Sequence, residues 1–268
     1  MGAFAQSTNH QQAHSHDVGV LLGGSYYIGD LNPRKHFFLT QPAIGVFYRY
    51  NYDYRIAFRG GFNFGSIQGD DSQSDDSDQL ERNLNFKSNI YELNAIAEFN
   101  FWEYQIGHAK YIFAPYVFLG IDVFHFKPMA NYQDKWIELK QLSTEGQKTS
   151  QNPDVKPYRL IQPSIPFGLG FKLVLSRQVG LGFEWGPRKT FTDYLDDVSN
   201  KYVDPVQLAK DKGAASAVLS DRSNNPVTRL TNFGKQRGNP VTKDWYFFYG
   251  FTLSFKLNKR PGSCPGLK

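Results

Sequence analysis

Eight stretches of this chain alternate large apolar residues with glycine, polar or charged ones, and the links between them alternate short and long. A period of two puts successive side chains on opposite faces of a strand, so each stretch reads as a strand with one apolar and one polar face. They run at 18–29, 43–51, 54–65, 88–101, 111–126, 163–175, 179–189 and 244–257. In the sixth, Ile165, Phe167, Leu169, Phe171, Leu173 and Leu175 stand opposite Gly168, Gly170 and Lys172. In the last, "DWYFFYGFTLSFKL", Trp245, Phe247, Tyr249, Phe251, Leu253, Phe255 and Leu257 share one face. The links after the second, fourth and sixth stretches are short: "NYD", a stretch around "EYQIGHAK", and "SRQ". Those after the first, third, fifth and seventh run to about 13, 22, 36 and 54 residues.

A sandwich core or a lipid bilayer could cover such apolar faces. Apolar runs such as "AIGVFY" and "VFLG" fall far below the ~20 residues of a spanning helix. Mean hydropathy is −0.49, yet aromatic residues reach 16%. That combination suits strands that show one face to lipid and the other to a polar interior. The strand number is even, and each is long enough to span a bilayer when tilted. The sequence therefore predicts an all-β fold, an eight-stranded antiparallel transmembrane β-barrel with short periplasmic turns and long external loops. Residues 18–257 would form the barrel, preceded by a signal-peptide remnant and flexible start (1–17) and followed by a periplasmic tail (258–268). Ala3-Phe4-Ala5 has the form of a signal-peptidase site. Gly250, Leu253 and Phe255 sit at the spacing of a C-terminal strand signal read by outer-membrane assembly machinery. The last strand would close the barrel against the first, leaving no open edge in lipid.

The polar face predicts the interior. Eight strands enclose a space that side chains fill. Arg49, Arg55, Arg59, Lys172 and Lys256 are expected to point inward with Glu92, Glu98, Asp122 and Glu184. Unpaired charge is costly there, so a cross-paired plug is predicted in place of a pore. Tyr26, Tyr50, Tyr54, Trp102, Tyr104, Trp185 and Trp245 lie near strand ends, where aromatic girdles form.

Other chemistry has weak support. The net charge is +5, but the bases are scattered and "GDDSQSDDSD" (69–78) is acidic, so no nucleic-acid partner is expected. His10, His14 and His16 could hold a metal loosely, although a flexible start is the simpler reading. "GDDSQSDDSD" and "TDYLDDVS" (192–199) lack calcium-loop spacing and read as solvated external loops. His108 and His125 lie near strand ends without a nucleophile motif, so neither catalysis, a cofactor nor a small-molecule substrate is expected. Cys264 is the sole cysteine, and in an exported protein that suggests an intermolecular bridge or a free thiol.

Several stretches go beyond generic barrel patterning. They are "GVLLGGSYYIGDLNP" (19–33), "AIGVFYRYN" (43–51), "ERNLNFKSNIYELNAIAEFNF" (81–101), "PYVFLGIDVFHFKP" (115–128), "LSTEGQ" (142–147), "RKTFTDYLDDVS" (188–199) and "KDWYFFYG" (243–250). Together they resemble the PorG-like outer-membrane proteins of the type IX secretion system, over roughly 18–268. The resemblance implies a non-catalytic component, seated in outer-membrane lipid, that anchors a PorK/PorN-like periplasmic lipoprotein ring in a machine coupled in many bacteria to gliding motility. It also favours a partner bridge at Cys264. The competing expectation is a stand-alone small barrel acting as an adhesin or envelope-stabilising surface protein.

Overall fold

Valine, isoleucine, phenylalanine and tyrosine recur at every second position, and such side chains suit the pleated surface they occupy. The computed structural model describes residues 14–257. The long strands are β1 (Ser15–Ile28), β2 (Gln41–Asn51), β3 (Ile56–Asp70), β4 (Asn85–Asn100) and β5 (Phe113–Tyr132). After the short β6 (Lys135–Glu138) come β7 (Ile161–Val174), β8 (Val179–Thr190) and β9 (Trp245–Leu257). Hydrogen-bonded neighbours follow the order β4-β3-β2-β1-β9-β8-β7-β5, and a further β4–β5 pairing closes the ring. Closure runs from His16↔Leu257 to Ile28↔Trp245 between β1 and β9. The fold is thus a closed eight-stranded antiparallel barrel.

The alternation separates the two faces. Leu22, Val46, Phe58, Leu93, Leu119, Ile121, Leu169 and Phe251 are exposed on the outer wall, while Asp17, Arg49, Arg59, Glu92, Glu98, Lys172 and Glu184 are buried inside. An apolar exterior around a polar, filled interior is the arrangement that lipid selects.

One end carries the short turns after β2, β4 and β7, along with Ser15 and Leu257. In outer-membrane barrels that end faces the periplasm. The turn between β4 and β5 also folds upward, where Tyr104 and Ile106 are buried with Ala114 as a floor to the lumen. A Cβ on Gly180 would lie 2.5 Å from the Tyr104 hydroxyl, so only glycine lets that ring enter. Tyr104 is therefore not part of an exposed girdle. Tyr26 does point outward, but the first long loop covers it. Its ring stacks on Phe247 at 4.4 Å and meets Phe37 at 5.0 Å. The Trp185 Nε1–H donates to its hydroxyl at 2.9 Å.

The opposite end departs most from expectation. The long links are folded, with helices α1 (Ser77–Arg82), α2 (Leu139–Leu142), α3 (Pro205–Lys212), α4 (Ala214–Ser220) and α5 (Pro226–Thr231). Leu139, Leu195, Val198 and Leu219 share one buried cluster with Tyr27, Phe86, Phe124, Phe126, Tyr246 and Phe248 of the barrel mouth. The core of the molecule is this junction. "TDYLDDVS" is thus no solvated loop, because Leu195 and Val198 draw it onto the mouth and bury Asp193, Asp196 and Asp197 with them. The acidic run 69–78 is divided. Asp71 is buried against Arg82 Nε at 2.7 Å, whereas Asp76 caps α1 from the surface.

Candidate functional site

Two polar assemblies distinguish this barrel: a charge network in the lumen and the folded external cap. In the lumen, the β2–β3 register places Arg49 directly opposite Arg59. Like charges so placed repel. Glu98 of β4 lies between them, 2.9 Å from Arg49 Nε and 3.1 Å from Arg59 Nε. It also binds Lys172 Nζ of β7 at 2.6 Å. Glu184 of β8 pairs with Arg59 Nη1 at 2.7 Å and accepts a hydrogen bond from the Tyr116 hydroxyl at 2.7 Å. The Phe47 ring lies 4.8 Å from the Arg49 guanidinium and 5.2 Å from that of Arg59, filling the space beside both cations. Phe118 fits because it faces Gly168 and Gly186, where an added Cβ would come within 2.6 Å of its ring.

Nearer the external mouth, Glu92 accepts from Arg188 Nε at 2.9 Å, Asn63 and Asn94 at 2.8 Å each, and the Tyr246 hydroxyl at 3.0 Å. Asp122 accepts from Ser164. Arg49, Arg59, Glu92, Glu98, Asp122, Lys172 and Glu184 thus all lie inside.

Two expected members do not join the network. Arg55 sits at the β2–β3 turn, exposed, with Nη1 donating to the Phe101 carbonyl at 2.9 Å, because β3 begins only at Ile56. Lys256 points inward but below the ion pairs, donating to the Ile106 carbonyl at 2.9 Å where the floor turn rises to meet it. Asp17 and Arg188 were missing from the expected set. Arg188 carried a signal, its inward phase on β8. Asp17 precedes the expected start of the first strand at residue 18, although β1 begins at Ser15; Asn51 Nδ2 donates to it at 2.7 Å. The lumen predicts its own readout. The purified chain in a planar bilayer should show no steady single-channel currents, and steady currents would remove the plug.

The cap has its own hub. Glu145 is buried and accepts from Arg237 Nη1 at 3.1 Å, Ser199 N–H at 2.8 Å and Asn200 N–H at 3.0 Å. Arg237 also donates to the carbonyls of Asp197 at 2.6 Å and Ser220 at 3.0 Å. Beside it, the Tyr27 hydroxyl lies 2.5 Å from Asp196 Oδ2 and 3.2 Å from Asp244 Oδ1. Two carboxyl groups thus share one hydroxyl as their donor.

Burial pushes the Asp193 and Asp197 carboxyls up to about 6. Burial, then repulsion from Asp30 and Asp196 respectively, holds Asp196 and Asp244 well above the usual carboxylate range. A carboxyl whose pKa is raised on folding binds its proton more tightly in the folded cap than in the unfolded chain. These carboxyls therefore stabilise the cap most at low pH, and their contribution is lost as pH rises through about 6. Protease cleavage within 192–242 should accelerate between pH 5 and pH 8, and the double variant Asp193→Asn, Asp197→Asn should flatten that profile. An equal rate at both pH values would contradict it.

The remaining candidates are placed as follows. His125 is on the outer wall beside Tyr91, with ring centroids 6.0 Å apart. His108 stacks on Tyr111 in the floor turn at 4.2 Å. His14 and His16 lie against Tyr50 and Tyr48. His10 and Cys264 are outside the described residues. Among the described residues no group of three His, Cys, Asp or Glu side chains could hold a metal.

The class of protein is thus an outer-membrane β-barrel with a packed lumen. The chain belongs to the family described as a domain of unknown function, DUF6089, whose model matches residues 3–210. No curated protein matches it. Similar solved structures include Ail, the attachment invasion locus protein of Yersinia pestis, crystallised with the heparin analogue sucrose octasulfate. It has 7% identity and a TM-score of 0.42, covering 91% of this chain and 99% of that one. Neisserial surface protein A has 7% identity and a TM-score of 0.41, covering 90% and 97%. OprG from Pseudomonas aeruginosa has 10% identity and a TM-score of 0.42, covering 91% and 97%.

Proposed function

We propose that this barrel is a non-catalytic outer-membrane component of the type IX secretion machinery, anchoring a PorK/PorN-like lipoprotein ring on its periplasmic side. The observation that carries the anchoring role is the packed lumen. A wall cross-linked through Glu98 and Glu92 from β2, β3, β7 and β8 behaves as a rigid body suited to bearing load. The resemblance over 19–33, 81–101 and 188–199 supplies the identity of the machine.

In this reading the segment after Leu257 extends from the short-turn end into the periplasm, and Cys264 bridges to a ring subunit. Barrel solubilised from native membranes should co-purify with a periplasmic lipoprotein complex. Non-reducing gels should show a species larger than the monomer that reductant collapses and Cys264→Ser removes. Removal of 258–268 without loss of co-purification or secretion would overturn this reading. The folded cap favours a second reading, a surface protein whose external face acts in adhesion or envelope stability. Cap variants would then abolish the phenotype while tail variants leave it intact.

A further inference from the structure

A cleft of about 730 Å³ opens in the cap, at the end of the molecule away from the short turns. One wall comes from 145–155, the other from 194–203 and 233–240. Its size falls in the ~300–1,000 Å³ range of small-ligand sites. Phe233 and Val155 are exposed apolar members of the lining, and Tyr202 and Val203 are buried ones.

Most of the polar lining is amide, and the fold uses the nitrogen ends. Asn152 Nδ2 donates to the Glu145 carbonyl at 3.1 Å, and Asn200 Nδ2 to Glu145 Oε2 at 3.3 Å. Gln236 Nε2 donates to the Asn200 carbonyl at 3.2 Å. Those partners can only accept, which fixes the orientation of each amide. Among the described residues Asn152 Oδ1, Asn200 Oδ1 and Gln236 Oε1 receive no hydrogen bond. Gln147 also borders the cleft, and its buried Oε1 has no partner. Leaving a buried acceptor unbonded is costly, so a ligand that donates there is favoured.

The charges do not select an ion. Glu145 is held by Arg237 Nη1 at 3.1 Å, and Lys201 is exposed without an ion-pair partner among the described residues. A cation would meet Lys201 and no free carboxylate, while an anion would meet several amide oxygens. A peptide brings a carbonyl with every N–H, and the amide donors it needs are already spent. A neutral sugar matches the lining. Its hydroxyls donate to acceptors fixed in place, and the apolar C–H face of its ring packs on an aromatic one.

We propose that this cleft binds a neutral oligosaccharide. Its hydroxyls donate to Asn152, Asn200 and Gln236, and one ring lies on Phe233. The proposal rests on the folded cap and stands apart from the secretion reading.

The test places the full chain, in fluorescent phosphatidylcholine nanodiscs, on an array of neutral, sulfated and sialylated glycans. Neutral glycans should be retained and acidic ones not. Phe233→Ala, and Val155→Trp, which fills the cleft, should each weaken retention about tenfold or more with Tm unchanged. Both side chains are exposed, so neither change empties the core. Retention of acidic glycans only, or of none, would overturn the proposal. Native-level retention in Val155→Trp would overturn the cleft as the site, and in Phe233→Ala the stacked ring. Phage-displayed peptides that bind the native chain but not Val155→Trp, with no glycan retained, would make the occupant a peptide instead.

Discussion

Glu98→Leu should destabilise the barrel by about 3–5 kcal/mol, the range for removing one partner of a buried charge assembly. Glu98 is the shared partner of Arg49, Arg59 and Lys172. Without it, the two arginines that face each other in the β2–β3 register lose the carboxylate between them. At the size of this domain the fall in Tm should be about 10 °C, followed by the folded-to-unfolded band shift on unboiled gels. Glu98→Gln keeps the shape without the charge and should fall nearly as far. A leucine variant as stable as the native chain would mean that Glu98 does not hold the wall together.

Arg237→Met should open the cap and leave the barrel intact. The substitution strands Glu145 and frees the Asp197 and Ser220 carbonyls, joining points of three cap segments. Removal of such a partner costs about 3 kcal/mol, so open forms should become roughly 100-fold more populated. On intact cells the native chain should be cut slowly, at exposed places such as Val227, Phe233 and Val241. The variant should be cut throughout 192–242 at a rate increased by a similar factor, with the band shift of the barrel unchanged. Equal cleavage of native and variant cells would mean that Arg237 does not hold the cap closed.

The barrel was legible because a strand in lipid is a local object. Each of the eight stretches has to hide one face in hydrocarbon, so its period is written in ten or so consecutive residues, and closure follows from the absence of any tolerable edge. The inward phase of Arg49, Glu98 or Lys172 comes from the same local rule. The rule holds only within the strands. Arg55 precedes its strand, and Lys256 lies at the level of a floor turn whose upward fold no periodicity announces. The cap was hidden for another reason. Polar residues that look solvated in sequence become buried once Leu195 and Val198 meet Phe124, Phe126 and Tyr246 at the mouth. Periodicity alone marks the lipid-facing and inward-facing residues within each strand and the end that carries the long connections. Which charges meet depends on the fold, since Arg59 and Glu184 stand 125 residues apart and Glu145 and Arg237 stand 92 apart. Those pairs are set by strand register and by loop folding over a common core, and neither leaves a periodic trace in the chain.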